Sequence, residues 1–163
     1  MDNMDVRKEN AVCFTGHREI GEPISDVELR LTKTVERLIE QGYVFFWAGG
    51  ARGFDTIASE VVLKLKSIYP QIHLFLALPF DEQYTHEKNW TQAEISQYHR
   101  IKGLASNVVI LCDGFRPSAY HQRNRYLVDN SSVCIAYLNR DKSGTGYTVR
   151  YAKKRGLQVV NLL

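Results

Sequence analysis

Four stretches of the chain combine glycine or arginine with other polar groups, and each follows an apolar run. Thr15-Gly16-His17-Arg18 comes first: the glycine permits a tight turn, and His17 and Arg18 then project donors suited to ligand contact. Gly49-Gly50-Ala51-Arg52-Gly53-Phe54-Asp55 runs straight into a helical pattern. Amides at a helix N-terminus, with no Cβ to block approach, suit a phosphate. Asp55 would repel that phosphate, so it reads as the helix cap or as an acceptor for a sugar hydroxyl. The third stretch carries Arg116, Tyr120, Arg123, Asn124, Arg125 and Asp129. Arg123 and Asn124 lie one helical turn from Tyr120 and Leu127 and offer a fork to a phosphate or a base. Ser143-Gly144-Thr145-Gly146-Tyr147-Thr148 is a second glycine-rich helix start, hence a second candidate anion cradle. Two cradles with arginines between them favour a ligand with at least two anionic groups. Each loop also has a plainer reading, as a tight turn, a cap or a solvated helix face. The glycine spacing is neither GxGxxG nor a P-loop, and no acid ends the second apolar run to hold a ribose.

These loops need a scaffold that brings them to one edge, and the hydrophobic pattern supplies it. Continuous apolar runs at Ala11–Thr15, Tyr43–Ala48, Ile72–Leu78, Asn107–Leu111, Val133–Tyr137 and Leu157–Asn161 predict strands. Helical periodicity fills the gaps. It begins at a capping-box spacing, Ser25-Asp26-Val27-Glu28, and continues through Val27, Leu31, Val35, Leu38 and Ile39 to Gly42. Further helices are predicted after Asp55 as far as Pro70, over Trp90 to Gly103, over Ala119–Asn130, and from the Ser143 glycines through Arg155. Phe80 to Lys88 reads as a polar loop. Continuous rather than alternating strands fit a sheet covered on both faces, so the expected fold is α/β: a single three-layer Rossmann-like domain over 11–163, with a mainly parallel sheet of about six strands. Residues 1–10 read as a loose tail. In such sheets ligands bind beyond the carboxyl ends of the strands, where all four loops fall.

Composition narrows the class. Of 163 residues, 44% are hydrophobic and 24% charged, which excludes a disordered, collagen-like or coiled-coil chain. The richest apolar run, Ile72 to Phe80, is broken by His73 and falls far short of the roughly 20 residues a membrane span needs. No apolar segment marks Met1–Asn10 as a secretory leader. Cys13, Cys112 and Cys134 lack CxxC spacing and read as reduced, buried side chains of a cytoplasmic protein, not as a disulfide framework or zinc site. The net charge of +3 hides an asymmetry: residues 1–99 carry net −5 and residues 100–163 net +8. A basic C-terminal third suits a phosphate-bearing partner or presents a solvated basic face.

The ordered set CFTGHR, WAGGARGFD, LALPF, RNRYLVDNSSVCIAY and SGTGYTVRYAKKRG resembles the SLOG superfamily, and within it the short YpsA-like branch. The resemblance runs from about Ala11 to the C-terminus. That superfamily joins the DNA-processing protein DprA with LOG-type proteins on a Rossmann-like fold. Its members are implicated in binding nucleotides and nucleotide-derived signals such as ADP-ribose derivatives, and some hydrolyse nucleotide N-glycosidic bonds. Position by position, the resemblance implies a ligand cleft formed by Gly16, His17, Arg18, Gly49, Gly50, Gly53, Phe54, Asp55, Arg123, Asn124, Gly144, Thr145, Gly146 and Thr148; Arg52, inside the same loop, joins them. One departure bears on activity. LOG hydrolases carry PGGxGTxxE, whereas Lys142 to Arg150 reads KSGTGYTVR, with no proline, glycine pair or glutamate. An oxocarbenium-like transition state wants a nearby carboxylate, and only Asp55 or Asp129 would be left to supply one. The expectation is therefore a binding or sensing module for a small nucleotide or nucleotide-sugar ligand, with no metal and no resident cofactor. The alternatives are a LOG-like nucleotide N-glycosidase and a DprA-like single-stranded DNA binder using Tyr120, Tyr126, Tyr147 and Tyr151 among arginines. The family analogy implies a homodimer or higher assembly.

Overall fold

A computed structural model describes residues 6–139 and 143–163. Six strands, β1 (Ala11–Gly16), β2 (Phe45–Ala48), β3 (His73–Leu78), β4 (Asn107–Ile110), β5 (Val133–Tyr137) and β6 (Gln158–Asn161), form one sheet in the order β4-β3-β2-β1-β5-β6. Every pairing is parallel. Five helices connect them: α1 (Ile24–Glu40), α2 (Phe54–Lys66), α3 (Gln92–Leu104), α4 (Ala119–Asp129) and α5 (Gly144–Lys154). The expected three-layer α/β architecture is present.

Alternate strand residues divide the core into two faces, because side chains alternate across a sheet. Val12, Phe14, Phe46, Leu74, Leu76 and Ile135 pack under α1, α2 and α3 with Leu31, Val35, Val61, Val62 and Ile101. Cys13, Trp47, Phe75, Ala77 and Cys134 pack on the other face beneath Leu127 and Val128 of α4 and Ala152 of α5. All three cysteines are buried and free. No helix among the described residues is long and apolar enough to cross a membrane.

The topology sets the site. The chain steps β1 to β4 outward in one direction, and α4 then returns it to the far side of β1 to begin β5. The connections after β1 and β5 therefore diverge, opening a crevice between their carboxyl ends. In open α/β sheets this reversal of strand order is where ligands bind.

Several local expectations need correction. Ser25 does not cap α1; Pro23 is the N-cap residue and Ser25 lies inside the helix. The capping box sits instead at the start of α3, where Thr91 accepts from the Glu94 amide and Glu94 from the Thr91 amide. Phe80 to Lys88 is the expected loop, but Phe80 and Gln83 are buried in it and Gln83–His86 forms a 3-10 turn. In the expected tail, Met1–Asp5 lie outside the described residues, while Lys8–Asn10 forms a 3-10 turn whose Asn10 carbonyl accepts from Val44 N–H at 3.0 Å.

Candidate ligand crevice at the strand tips

A crevice of about 590 Å³ opens over the β1/β5 junction. Gly16, His17, Arg18 and Glu19 form its wall after β1, Arg52 and Asp55 its wall after β2, Pro117, Tyr120, His121, Arg123 and Asn124 its α4 side, and Ser143, Gly144 and Thr145 its α5 side. Its volume falls within the roughly 300–1,000 Å³ of small-ligand sites. Nine of the sequence-predicted residues line it: Gly16, His17, Arg18, Arg52, Asp55, Arg123, Asn124, Gly144 and Thr145. Gly49, Gly50, Gly53, Phe54, Gly146 and Thr148 do not.

The β2–α2 loop explains most of that second group. Phe54 is fully buried, stacked on Tyr137 at 5.6 Å and edge-on to Phe14 at 6.4 Å. It is a core ring, and Gly16 is glycine because any Cβ there would collide with it. Gly53, at φ +82°, is the N-cap of α2. A Cβ on it would strike the Arg18 carbonyl oxygen. Gly50, at φ +76°, faces Leu78 on the core side rather than the crevice. Gly49 makes room for the Arg123 guanidinium and the Asp55 carboxylate, since a Cβ would lie 2.6 Å from Arg123 Nη1 and 2.9 Å from Asp55 Oδ2.

Two amides of this loop are engaged as well. Phe54 N–H donates to the His17 carbonyl at 3.1 Å, and Ala51 N–H to Asp55 Oδ2 at 3.2 Å. Asp55 is not the cap of α2; it reaches back from the first turn and closes the loop from below. Burial pushes its carboxyl up, and the Arg123 guanidinium, the Ala51 amide and Arg18 offset that rise only in part. Arg123 is 5% exposed, donates from Nη1 to the Gly49 carbonyl and from Nε to Asn124 Oδ1 at 2.8 Å. Its fork, expected to face a phosphate, chiefly braces the loop.

His17, expected to project a donor toward a ligand, is also buried. Asn139 N–H donates to its Nε2 at 2.9 Å, fixing that nitrogen as an acceptor and tying the loop after β1 to the end of β5. Arg18 is the more open donor: its side chain is 42% exposed, lies 5.9 Å over the Tyr120 ring and approaches Glu87 Oε2 at 3.4 Å. Tyr120 is pushed up to about 12 by burial and by that neighbouring carboxylate. Arg52 pairs with the exposed Glu19 at the mouth.

The start of α5 differs. Ser143 is its N-cap, accepting from Gly146 N–H at 3.0 Å, and Thr148 Oγ1 donates to the Gly144 carbonyl at 3.0 Å. Gly146 and Thr148 thus shape the helix start without lining the crevice. A Cβ on Gly144 would meet nothing within 4 Å. Of the stretch that departs from the LOG hydrolase motif, Lys142 lies outside the described residues, as do Arg140 and Asp141. Asp129, one of the two acids considered for glycosidic cleavage, is not in the crevice; it accepts from Tyr151 Oη at 2.8 Å and pairs with Arg155 at 3.5 Å. Among the described residues, the acids that line it are Asp55 and Glu19. Among the described residues no cluster of histidine, cysteine and acidic side chains is arranged to hold a metal.

Residue-type reasoning missed Glu19, Pro117 and His121. Glu87 was missed too: its side chain is 4% exposed, held by Arg18 and by Trp90 Nε1 at 2.8 Å. No sequence pattern brings an acid from the β3–α3 connection to the loop after β1.

Comparison with known proteins bears on the family and the fold. The YpsA model, described as the YspA SLOG family, matches residues 14–159. The UPF0398 protein BH1768 of Halalkalibacterium halodurans is 33% identical over 140 residues, 83% of this chain and 71% of the relative. The SPbeta prophage-derived protein YoqJ of Bacillus subtilis is 32% identical over 139 residues, 77% of this chain and 79% of the relative. Among solved structures, DNA processing protein A of Streptococcus pneumoniae superposes with a TM-score of 0.67 at 16% identity. That superposition covers 96% of this chain and 51% of the other. The Helicobacter pylori DNA processing protein A, described with its single-stranded DNA binding mode, gives 0.66 at 21%, covering 93% and 64%. At these identities the superpositions show a shared fold, and this chain spans only about half to two thirds of either protein.

Proposed function

Because the chain belongs to the YpsA family of the SLOG group, we propose that it binds a small, anionic, nucleotide-derived ligand in the crevice between the ends of β1 and β5, as a sensing or binding module. One observation carries this reading: a 590 Å³ crevice at the strand-order reversal is lined jointly by Arg18, Arg52, Arg123 and the serine-capped N-terminus of α5. A helix N-terminus attracts anions through its amides and dipole. Arg18 adds a charged donor with open surface, and the α5 start lies across the crevice from the arginine-bearing loops. AMP-like and ADP-ribose-like molecules have the size and charge for such a space. The proposal takes 11–163 as the binding unit. It includes a homodimer, to be checked by light scattering, and a cytoplasmic setting, consistent with three buried free thiols.

Hydrolysis of the glycosidic bond is less well supported. Asp55 is closed in by the Ala51 amide, and Glu19 is paired with Arg52 at the mouth. A second binding reading has an observation of its own. Arg125 donates to Tyr147 Oη at 3.0 Å and lies 5.9 Å over Tyr151, while His121 and Tyr147 are 4.7 Å apart. Basic and aromatic side chains interleaved along α4 and α5 suit a single strand of nucleic acid, the ligand named for the Helicobacter pylori neighbour.

A thermal-shift titration separates these readings, since a ligand that binds the folded state raises Tm by mass action. AMP or ADP-ribose should raise Tm, and Arg18→Ala should diminish the rise. A response confined to single-stranded DNA, with a log–log salt slope of about −0.7 per neutralised phosphate, would move the site to the α4–α5 face. No response to any of these compounds would refute the crevice reading.

A further inference from the structure

On the β3 and β4 side of the crevice, opposite α5, three aromatic rings form a shelf. His86 and Phe115 lie parallel, their centroids 4.7 Å apart and their planes at 9°. The buried Phe80 ring meets both edge-on, at 5.5 Å from His86 and 5.6 Å from Phe115. Phe80 also packs edge-on against Tyr120 at 5.8 Å, and Tyr120 is a wall of the crevice. The upper pair is open: Phe115 is 49% exposed and His86 is exposed beside it.

A lone exposed phenylalanine needs no explanation. Two rings already stacked and held by a buried third are another matter, because their orientation is fixed before any partner arrives. A flat π system can then settle on the outer face with little ordering cost. The shelf follows the carboxyl ends of β3 and β4, at the same edge of the sheet as the crevice, and Arg18 over Tyr120 lies between the two. We infer that the His86–Phe115 pair is a stacking subsite for the nucleobase of a ligand whose phosphate end is held by Arg18 and the α5 start. The inference rests on the crevice reading and specifies its ligand as one that keeps its base.

The test compares two probes that share sugar and phosphate and differ in the base. Calorimetric titration of the full chain with AMP and with ribose 5-phosphate should show binding of both, AMP the tighter. Phe115→Ala and His86→Ala should each weaken AMP about tenfold, within the range for loss of one base–aromatic stack. Neither should alter ribose 5-phosphate, and Phe115→Tyr should retain wild-type AMP affinity. Circular dichroism checks that each variant is folded; both rings are exposed, so the core keeps its packing. AMP binding indifferent to Phe115→Ala and His86→Ala, or a loss equal for both probes, overturns the subsite while leaving the crevice reading in place. A wild-type protein that binds neither probe overturns both.

Discussion

The two glycine-rich helix starts look alike as sequence and do opposite things as structure. At Gly49–Asp55 the glycines admit neighbouring protein atoms: the Arg123 guanidinium over Gly49, Leu78 against Gly50 and the Arg18 carbonyl against Gly53. The Ala51 and Phe54 amides already have acceptors, and a carboxylate closes the loop. At Ser143–Thr148 a serine caps the helix, Gly144 faces open space, and the helix start lines the crevice. Glycine reports that something approaches the backbone closely; whether that something is a ligand or the rest of the protein depends on what packs there. The first loop is a keystone joining β1, α2 and α4, and the second is the one proposed to hold the ligand's anion.

The sharpest way to break this contrast is through Arg123. Arg123→Leu would remove the charge that holds the buried Asp55 carboxyl down and the donor that the Gly49 carbonyl accepts from. Leaving a buried polar group without its partner costs about 1–3 kcal/mol, more beside a charge, so urea unfolding should show a loss of about 3 kcal/mol. Removing both charges, as Arg123→Leu with Asp55→Leu, should recover a substantial part of it. A single variant as stable as wild type would mean that the two groups do not brace each other. Gly53→Ala should come next, at about 3 kcal/mol: residues forced into sparsely populated backbone regions cost about 1–3 kcal/mol, and the Arg18 carbonyl must also move. Urea unfolding of this variant should find stability lost whether or not a ligand is present.

The second loop should behave the other way. Gly144→Val has room in the free protein, so its stability should change by no more than about 0.5 kcal/mol, as for ordinary surface changes. Its effect belongs in binding, where side-chain bulk beside the first amides of α5 should weaken AMP about tenfold, or about 1.4 kcal/mol. A Gly144→Val protein that binds AMP like wild type would leave the crevice without its proposed anion end.

The sheet was legible because its strands are unbroken apolar runs, which parallel sheets buried on both faces require. All six expected strands are present, and Val133–Tyr137 matches to the residue. The loops at the strand tips were also legible as a set, since strand–helix alternation sends every such connection to one edge. What each loop residue faces was not. The resemblance puts Phe54 in the ligand cleft, yet it packs against Tyr137 because Gly16 leaves it a slot. Arg123 reads like a surface fork, yet α4 turns that position inward with Leu127. Glu87 reads as loop polarity and is held by Arg18 and Trp90. These outcomes depend on contacts between segments far apart in sequence, which local spacing does not encode.

The smallest expected effect concerns how the keystone is held from behind. Glu22 accepts from Arg30 Nη1 at 2.9 Å and Nη2 at 2.7 Å, and Tyr137 Oη donates to it at 2.7 Å. The Tyr137 ring in turn stacks on Phe54 at the start of α2, so a carboxylate after β1 steadies the ring that seats the first loop. The Arg30 and Tyr137 hydrogen bonds hold the Glu22 carboxyl down at about 2, from an ordinary value of 4.5. A carboxylate depressed in the folded state stabilises the fold above its unfolded value, and that contribution fades as protonation begins. It should therefore be complete above about pH 5 and disappear as the pH falls from 4.5 toward 2. Glu22→Gln removes the titrating group, so its Tm should lie below wild type at pH 6 and converge with it near pH 2. The difference should be modest, because the Arg30 and Glu22 side chains keep 38% and 23% of their exposure and water screens the pair. A Tm gap that stays constant across that interval would show that Glu22 acts through its hydrogen bonds and not its charge, and that the first loop is held by its glycines and by Arg123 without help from the charge behind it.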